Sequence, residues 1–380
     1  MTWNVPLADL DYGPEEDQAV LNVLHSRWLT MGAVTQQFET EFAQMLGVKH
    51  ALAVSNATVA LHMACLVLGV GAGDEVIVPS LTFVATANAA RYTGARVRFA
   101  DITSENDLTI SPAAIERLIN PRTRAIIVMH YGGYACDLTA IRAIAQNHQL
   151  PIIEDAAHVP GGTLEGSALG AWGQVGCFSF FSNKNLATGE GGMFVTQQDD
   201  LADHARLLRS HGMTTLTWDR HQGHAHSYDV TALGFNYRID EIHSALGLCQ
   251  LHKLQAGNQR RGEITRRYWA GLQDSGVGLP FQNFRGQPSY HIFPMLLPPN
   301  LDRDHFIDAL KADGIQSSIH YPPIHCFSYY RRDYSDVSLP ITEAVARREV
   351  TLPIYPAMTD DIVDYVIASV RKNLTRRADK

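Results

Sequence analysis

The chain contains six lysines, Lys49, Lys184, Lys253, Lys311, Lys372 and Lys380, and one of them sits in a segment built for chemistry. Lys184 follows the apolar run CFSFF and enters the loop NLATGEGG, with Ser179, Ser182, Asn183 and Asn185 around it. Small polar residues of this kind favour turns and bind ligands. Lys253 and Lys311 lie in helical, polar contexts, Lys49 precedes a strand, and the last two belong to the tail. A second residue of interest is Asp155, at the carboxyl end of the apolar run in LPIIEDAAH. An acid in that position either caps the next helix or holds a pyridine nitrogen protonated. Pyridoxal phosphate (PLP) asks two things of a protein, a lysine for a Schiff base and an acid at the ring nitrogen. Protonation lets the ring accept electrons when a Cα–H bond breaks.

A phosphate needs donors without competing bulk. SNAT, Ser55–Thr58, lies between a strand ending at Val54 and a helix beginning near Ala57, and the N–H groups of a helix start form a natural cradle. An N-cap by Ser55 or Asn56 is the plainer reading, and the two are compatible. Ser179 can add a hydroxyl. Phe83, in PSLTF, either stacks on the ring or belongs to the core.

The elements that must position these groups follow from hydrophobic pattern. Strands are predicted at His50–Val54, Glu75–Val78, Arg96–Ala100, Ala125–Met129, Pro151–Glu154, Gly176–Phe180 and Gly192–Thr196. Amphipathic segments such as Val59–Leu68, Thr82–Arg91 and Leu138–Gln146 lie between them. This alternation predicts an α/β fold, a mostly parallel sheet covered by helices on both faces, with its ligand site at the carboxyl ends of the strands. After Asn236 the pattern changes: a long helix over Ile239–Tyr268 with Gly247, Gly257 and Gly262 as interruptions, a strand at Tyr290–Leu297, a helix at Asp302–Ala312, a strand at Gln316–His320 and a terminal helix from Thr359. Residues 1–250 are expected to form a large α/β domain and residues 251–380 a smaller α+β domain.

A net charge of −8 and a pI near 6.1 argue against a general nucleic-acid binder. The amino terminus has no secretory signal pattern, and no apolar run reaches a membrane span. The five cysteines, Cys65, Cys136, Cys177, Cys249 and Cys326, are odd in number, scattered and never in a CxxC pair. They read as buried thiols of a cytoplasmic protein.

Taken together these stretches resemble the DegT/DnrJ/EryC1/StrS sugar aminotransferases, PLP enzymes of the aspartate-aminotransferase fold (fold type I). The resemblance runs through SRWLTMG, VSNATVALHMA, GDEVIVPSLTFVATANA, IIEDAAH, FSFFSNKNLATGEGG, GFNYRIDEIHSALGLCQL, HYPPIH and LPIYPAMT, in order, over nearly the whole chain. It implies that Lys184 is the Schiff-base lysine, Asp155 the acid at the pyridine nitrogen, and His158 the Gln-or-His residue that packs by the cofactor. Ala57 and Thr58 match the phosphate-binding turn, Ser179 adds its hydroxyl, and Phe83 matches the aromatic on the ring face. Asn236 matches an asparagine that reaches the phosphate from the neighbouring subunit, which implies a homodimer with shared sites. Some relatives carry histidine in place of the lysine and remove a sugar hydroxyl; the retained Lys184 favours aminotransfer. Phe181 stands where histidine is frequent, a departure on the substrate side.

The resemblance implies transfer of an amine from glutamate to a nucleotide-linked keto sugar. The expected position is C4 of a 4-keto-6-deoxy or 4-keto pentose sugar, with a C3 sugar or an inosose as alternatives. A PLP sugar dehydratase and a non-catalytic PLP-binding regulator are rivals. Arg27 beside Trp28, and Arg238, are candidate donors to a pyrophosphate, or else surface ion pairs. His320, Tyr321 and His325 line the substrate site or are packing. His221, His224 and His226 follow no zinc spacing and are read as a mobile loop near the sugar, with no metal expected.

Overall fold

The computed structural model describes residues 3–215 and 227–375. The seven predicted apolar runs form one sheet: β1 (His50–Val54), β2 (Glu75–Pro79), β3 (Arg96–Ala100), β4 (Thr123–Met129), β5 (Ile152–Asp155), β6 (Val175–Ser179) and β7 (Gly192–Thr196). Their spatial order is β1-β7-β6-β5-β4-β2-β3. β7 runs antiparallel to both its neighbours, β1 and β6, while the pairs from β6 across to β3 are parallel.

Parallel strands need crossovers, and helices that cross over bury both faces of the sheet. The alternation along each strand shows the two faces. Ala51, Ala53, Ile126 and Val128 join a core with Phe38 and Phe42 of the Ala33–Leu46 helix. Leu52, Val54, Ala125 and Ile127 join another with Leu61 and Ala64 of the Ala57–Val67 helix.

The long helix spans Glu241–Leu272 without a break. Two of the glycines expected to interrupt it serve packing instead. A Cβ at Gly247 would lie 2.6 Å from the Phe38 ring, and one at Gly262 would lie 2.8 Å from the Tyr290 ring. The boundary expected after residue 250 falls inside this helix. A further core gathers Ile264 and Tyr268 of the helix with Phe293, Leu310, Val350 and Val366, and Val5 from the other end of the chain packs there too.

The strand expected at Gln316–His320 does not form. Ser318 makes an isolated bridge to Thr351. Two residues on, the His320 N–H goes to the Glu349 carboxylate at 2.7 Å, so a side chain takes the place of a ladder partner. The cysteine expectation also needs correction: Cys65, Cys136 and Cys177 are buried, but Cys249 is half-buried and Cys326 exposed. No helix among the described residues is long and apolar enough to cross a membrane. No metal-binding group of His, Cys, Asp or Glu occurs among them. His221, His224 and His226 lie outside the described residues.

Candidate active site

A cavity of about 470 Å³ opens at the carboxyl ends of the parallel strands, where backbone and side chains leave the ladder. β5 ends in Asp155 and β6 in Ser179, so the two strands deliver both side chains to it. Beyond β6 the chain turns, with the Lys184 N–H donating to the Phe181 carbonyl at 2.8 Å. That turn brings Lys184 into the same cavity. Burial lowers its ammonium to about 8, against the opposing pull of Asp155. An amine so placed is partly unprotonated near neutrality, as a nucleophile and proton carrier must be.

Asp155 is buried, and its two oxygens accept from Thr86 Oγ1 at 2.7 Å and from the Ala157 N–H at 3.2 Å. Thr86 spends its proton on the carboxylate, so it accepts from Thr82 Oγ1 at 2.9 Å. Burial raises the Asp155 carboxyl above its usual range, opposed by Thr86, Ala157 and Lys184 in that order. A cation set beside it would recover what burial costs the charged form. Residues after Asp155 form turns and not a helix, so it is no helix cap.

Where β1 ends, Asn56 caps the Ala57–Val67 helix by accepting from the Val59 N–H at 3.0 Å. The N–H groups of Ala57 and Thr58 have no acceptor within the helix, and both residues line the cavity. Gly192 backs this turn. A Cβ there would lie 2.5 Å from the Asn56 carbonyl carbon and 2.7 Å from the Ala57 nitrogen.

His158, Tyr321 and Phe83 form part of the remaining wall. The Gly132 N–H donates to His158 Nδ1 at 3.3 Å, which leaves the ring proton on Nε2, 3.1 Å from Tyr321 Oη. Burial holds His158 well below the usual histidine range. Phe83 is 58% exposed, so it belongs to the cavity wall and not to the core. His320 also lines the cavity, with Nδ1 2.8 Å from Thr351 Oγ1, and burial lowers it to about 4.

Five candidate residues do not line this cavity: Arg27, Trp28, Asn236, Arg238 and His325. Arg27 is the exposed C-cap of the Pro14–Ser26 helix. The segment Gly234–Arg238 runs beside the end of β1, where the Ser55 N–H donates to the Tyr237 carbonyl at 2.9 Å, and Asn236 is exposed. His325 packs elsewhere, 2.8 Å from Ser80 Oγ and 3.3 Å from Glu343. Asn183, named beside Lys184 in the sequence, lines the cavity, and Thr82, Thr86 and Glu190 line or support the site without having been singled out. The Thr82/Thr86 spacing of four residues, at the start of a helix, was the available signal for that pair.

The groups fit PLP: an amine, a buried carboxylate, and a helix start with free N–H groups surround one cavity of cofactor size. Such a site on such a sheet has the layout of a fold type I PLP enzyme. Residues 11–371 match the DegT/DnrJ/EryC1/StrS aminotransferase family, and this match makes the class an aminotransferase. The chain belongs to that family and is a sugar aminotransferase of it. It is 41% identical to SpsC of Bacillus subtilis (strain 168), a spore coat polysaccharide biosynthesis protein, over 97% of this chain and 96% of that one. Among solved structures it is similar to the sugar aminotransferase CalS13 from Micromonospora echinospora, with 29% identity, a TM-score of 0.88, and 97% and 99% of the two chains covered. It is similar also to Spr1654 from Streptococcus pneumoniae in its PLP-form, with 26% identity, a TM-score of 0.90, and 98% and 99% covered.

Proposed function

We propose that the protein is a PLP-dependent aminotransferase that moves an amine from glutamate to a nucleotide-linked keto sugar at its C4 ketone. The observation that carries the PLP reading is the convergence of Lys184, Asp155 and the Ala57–Thr58 turn on one cavity. PLP bound there would supply an electron sink for charge left on the substrate carbon. Asp155 would keep the ring nitrogen protonated, the Ala57 and Thr58 N–H groups with Ser179 would hold the phosphate, and Phe83 and His158 would confine the ring. Lys184 would carry the proton between the substrate carbon and the cofactor C4′.

The Asn183 Oδ1 atom, buried without a partner beside this cavity, is a natural acceptor for a sugar hydroxyl. His320 and Tyr321 suit the same side. We assign Arg27, Trp28 and Arg238, which stand off the cavity, to a nucleotide arm that reaches beyond it, and Asn236 to the phosphate of a second copy in a homodimer. Residues 1–250 and 251–380 are read as the two units flanking the cleft of a cytoplasmic enzyme.

Two experiments test this. Borohydride reduction of the PLP-loaded protein is expected to fix the label on Lys184; a label on another lysine, or none, overturns the cofactor reading. Incubation with glutamate and paired 4-keto and 3-keto nucleotide sugars, followed by NMR, is expected to place the new C–N bond at C4. Amination only at C3, or only of a free cyclitol ketone, overturns the substrate reading and leaves the cofactor reading standing.

A further inference from the structure

Beside Lys184, outside the wall described above, stands a buried histidine between Tyr290 and Ile292. His291 Nε2 lies 3.4 Å from Lys184 Nζ. Its other nitrogen, Nδ1, lies 2.9 Å from Asn185 Oδ1. Which nitrogen carries the proton follows from the contacts behind it. The Asn185 amide NH₂ donates to Asn258 Oδ1 and to the Ser289 carbonyl, each at 2.7 Å. Asn258 is itself oriented, because its own NH₂ donates to the Pro160 carbonyl at 2.8 Å. Asn185 therefore offers an oxygen to His291, and an amide oxygen only accepts. The ring proton is on Nδ1, and Nε2 presents a lone pair to the lysine.

We propose that His291 is a positioning residue for Lys184: its Nε2 lone pair receives an Nζ–H and docks the free amine, while Asn185 and Asn258 lock the tautomer that makes this possible. A lysine side chain is a flexible stem carrying a point charge. Without a docking partner it would sample several rotamers, and the fraction aligned for proton transfer would fall. Burial keeps His291 well below the usual histidine range, helped by the positive groups around it. The groups facing the pair are His158 from the turn after β5, Asp155, His320, and Arg261 of the long helix. This inference rests on the proposed role of Lys184 as proton carrier, and its first test does not need cofactor or substrate.

In apoprotein, the ¹⁵N shifts of the ring, assigned by loss of the signal in His291→Gln, are expected to show a neutral Nδ1–H tautomer across pH 6–8. An Nε2–H tautomer or a protonated ring there overturns the proposal. Competitive acetylation of apoprotein, read by mass spectrometry, is expected to show Lys184 titrating near 8 in the native protein. The midpoint should be lower in His291→Leu, where the ammonium has lost its acceptor, and close to native in His291→Gln, whose amide oxygen can still accept. With cofactor and substrates, His291→Leu is expected to lose about 10- to 100-fold in kcat with little change in KM, and His291→Gln to recover part of it. Asn185→Ala, which removes the tautomer lock together with its bonds to Asn258 and Ser289 and leaves the His291 ring in place, should show the loss even if His291→Leu fails to fold. An unchanged kcat or an unchanged Lys184 midpoint in His291→Leu overturns the role, whereas failure of borohydride fixation on Lys184 overturns the reading beneath it.

Discussion

Asp155 sits at the end of a buried strand with one hydroxyl and one backbone N–H as its hydrogen-bond donors. Two donors are few for a buried carboxylate, and burial accordingly raises its carboxyl. That under-satisfaction suits a site awaiting a cation, since a protonated ring nitrogen would supply the missing partner. Asp155→Asn keeps the shape and can still accept from Thr86, but it cannot hold a proton on the ring. We expect it to retain the fold and most PLP binding while kcat falls by at least ~100-fold, measured by 2-oxoglutarate release alongside the thermal midpoint. Thr86→Val should give a smaller loss of about tenfold, the size of one charge-assisted hydrogen bond. Near-normal turnover in Asp155→Asn would reduce the residue to a former of the turn at Ala157.

At the scale of elements, the phosphate-side turn depends on how closely one strand backs one helix start. Gly192, the first residue of β7, leaves room for the Asn56–Ala57 peptide, and any Cβ there would meet backbone at 2.5 and 2.7 Å. Backbone atoms in a helix cap cannot move aside as a side chain tip does, so the cap itself must shift. Gly192→Ala should therefore weaken PLP retention by about tenfold, roughly 1.4 kcal/mol, with Lys184 still able to react with the aldehyde. Equilibrium dialysis with absorbance detection reads this directly. Gly71→Ala is the control, because a Cβ there meets nothing within 4 Å. Equal retention in the two variants would show that the Ala57–Thr58 turn does not hold the phosphate.

At the scale of the whole molecule, apolar side chains stand open to solvent near Asn236. Asn236 is exposed and off its own cavity, and the neighbouring Val230 and Leu233 are 56% and 89% exposed. Apolar side chains so open, next to a polar residue with an expected site role, fit burial against a second copy. If each site takes Lys184 from one chain and Asn236 from the other, Lys184→Ala and Asn236→Asp proteins should complement. In their heterodimer one site carries both changes and the other neither. Random reassortment should then restore about one quarter of native activity, measured after mixing, mild denaturation and refolding of inactive parents. Activity that remains at the parental level would mean that each chain builds its site alone.

The sequence by itself determined the sheet strands, because strands buried on both faces must be short apolar runs, and all seven lie within about two residues of where pattern put them. It also singled out Lys184 and Asp155 as residues to consider together, and both line one cavity. What the sequence did not show was set by contacts distant along the chain. The glycines of the long helix look like breaks until Phe38 and Tyr290 are found against them. The segment before His320 has a strand's composition, yet Glu349 takes the N–H that a ladder would need. Thr86 reaches Asp155 across 69 positions, and His291 reaches Lys184 across 107. Local pattern records which face of an element is apolar; only the packing of sheet, long helix and C-terminal core decides which polar groups meet and which nitrogen of a histidine keeps its proton.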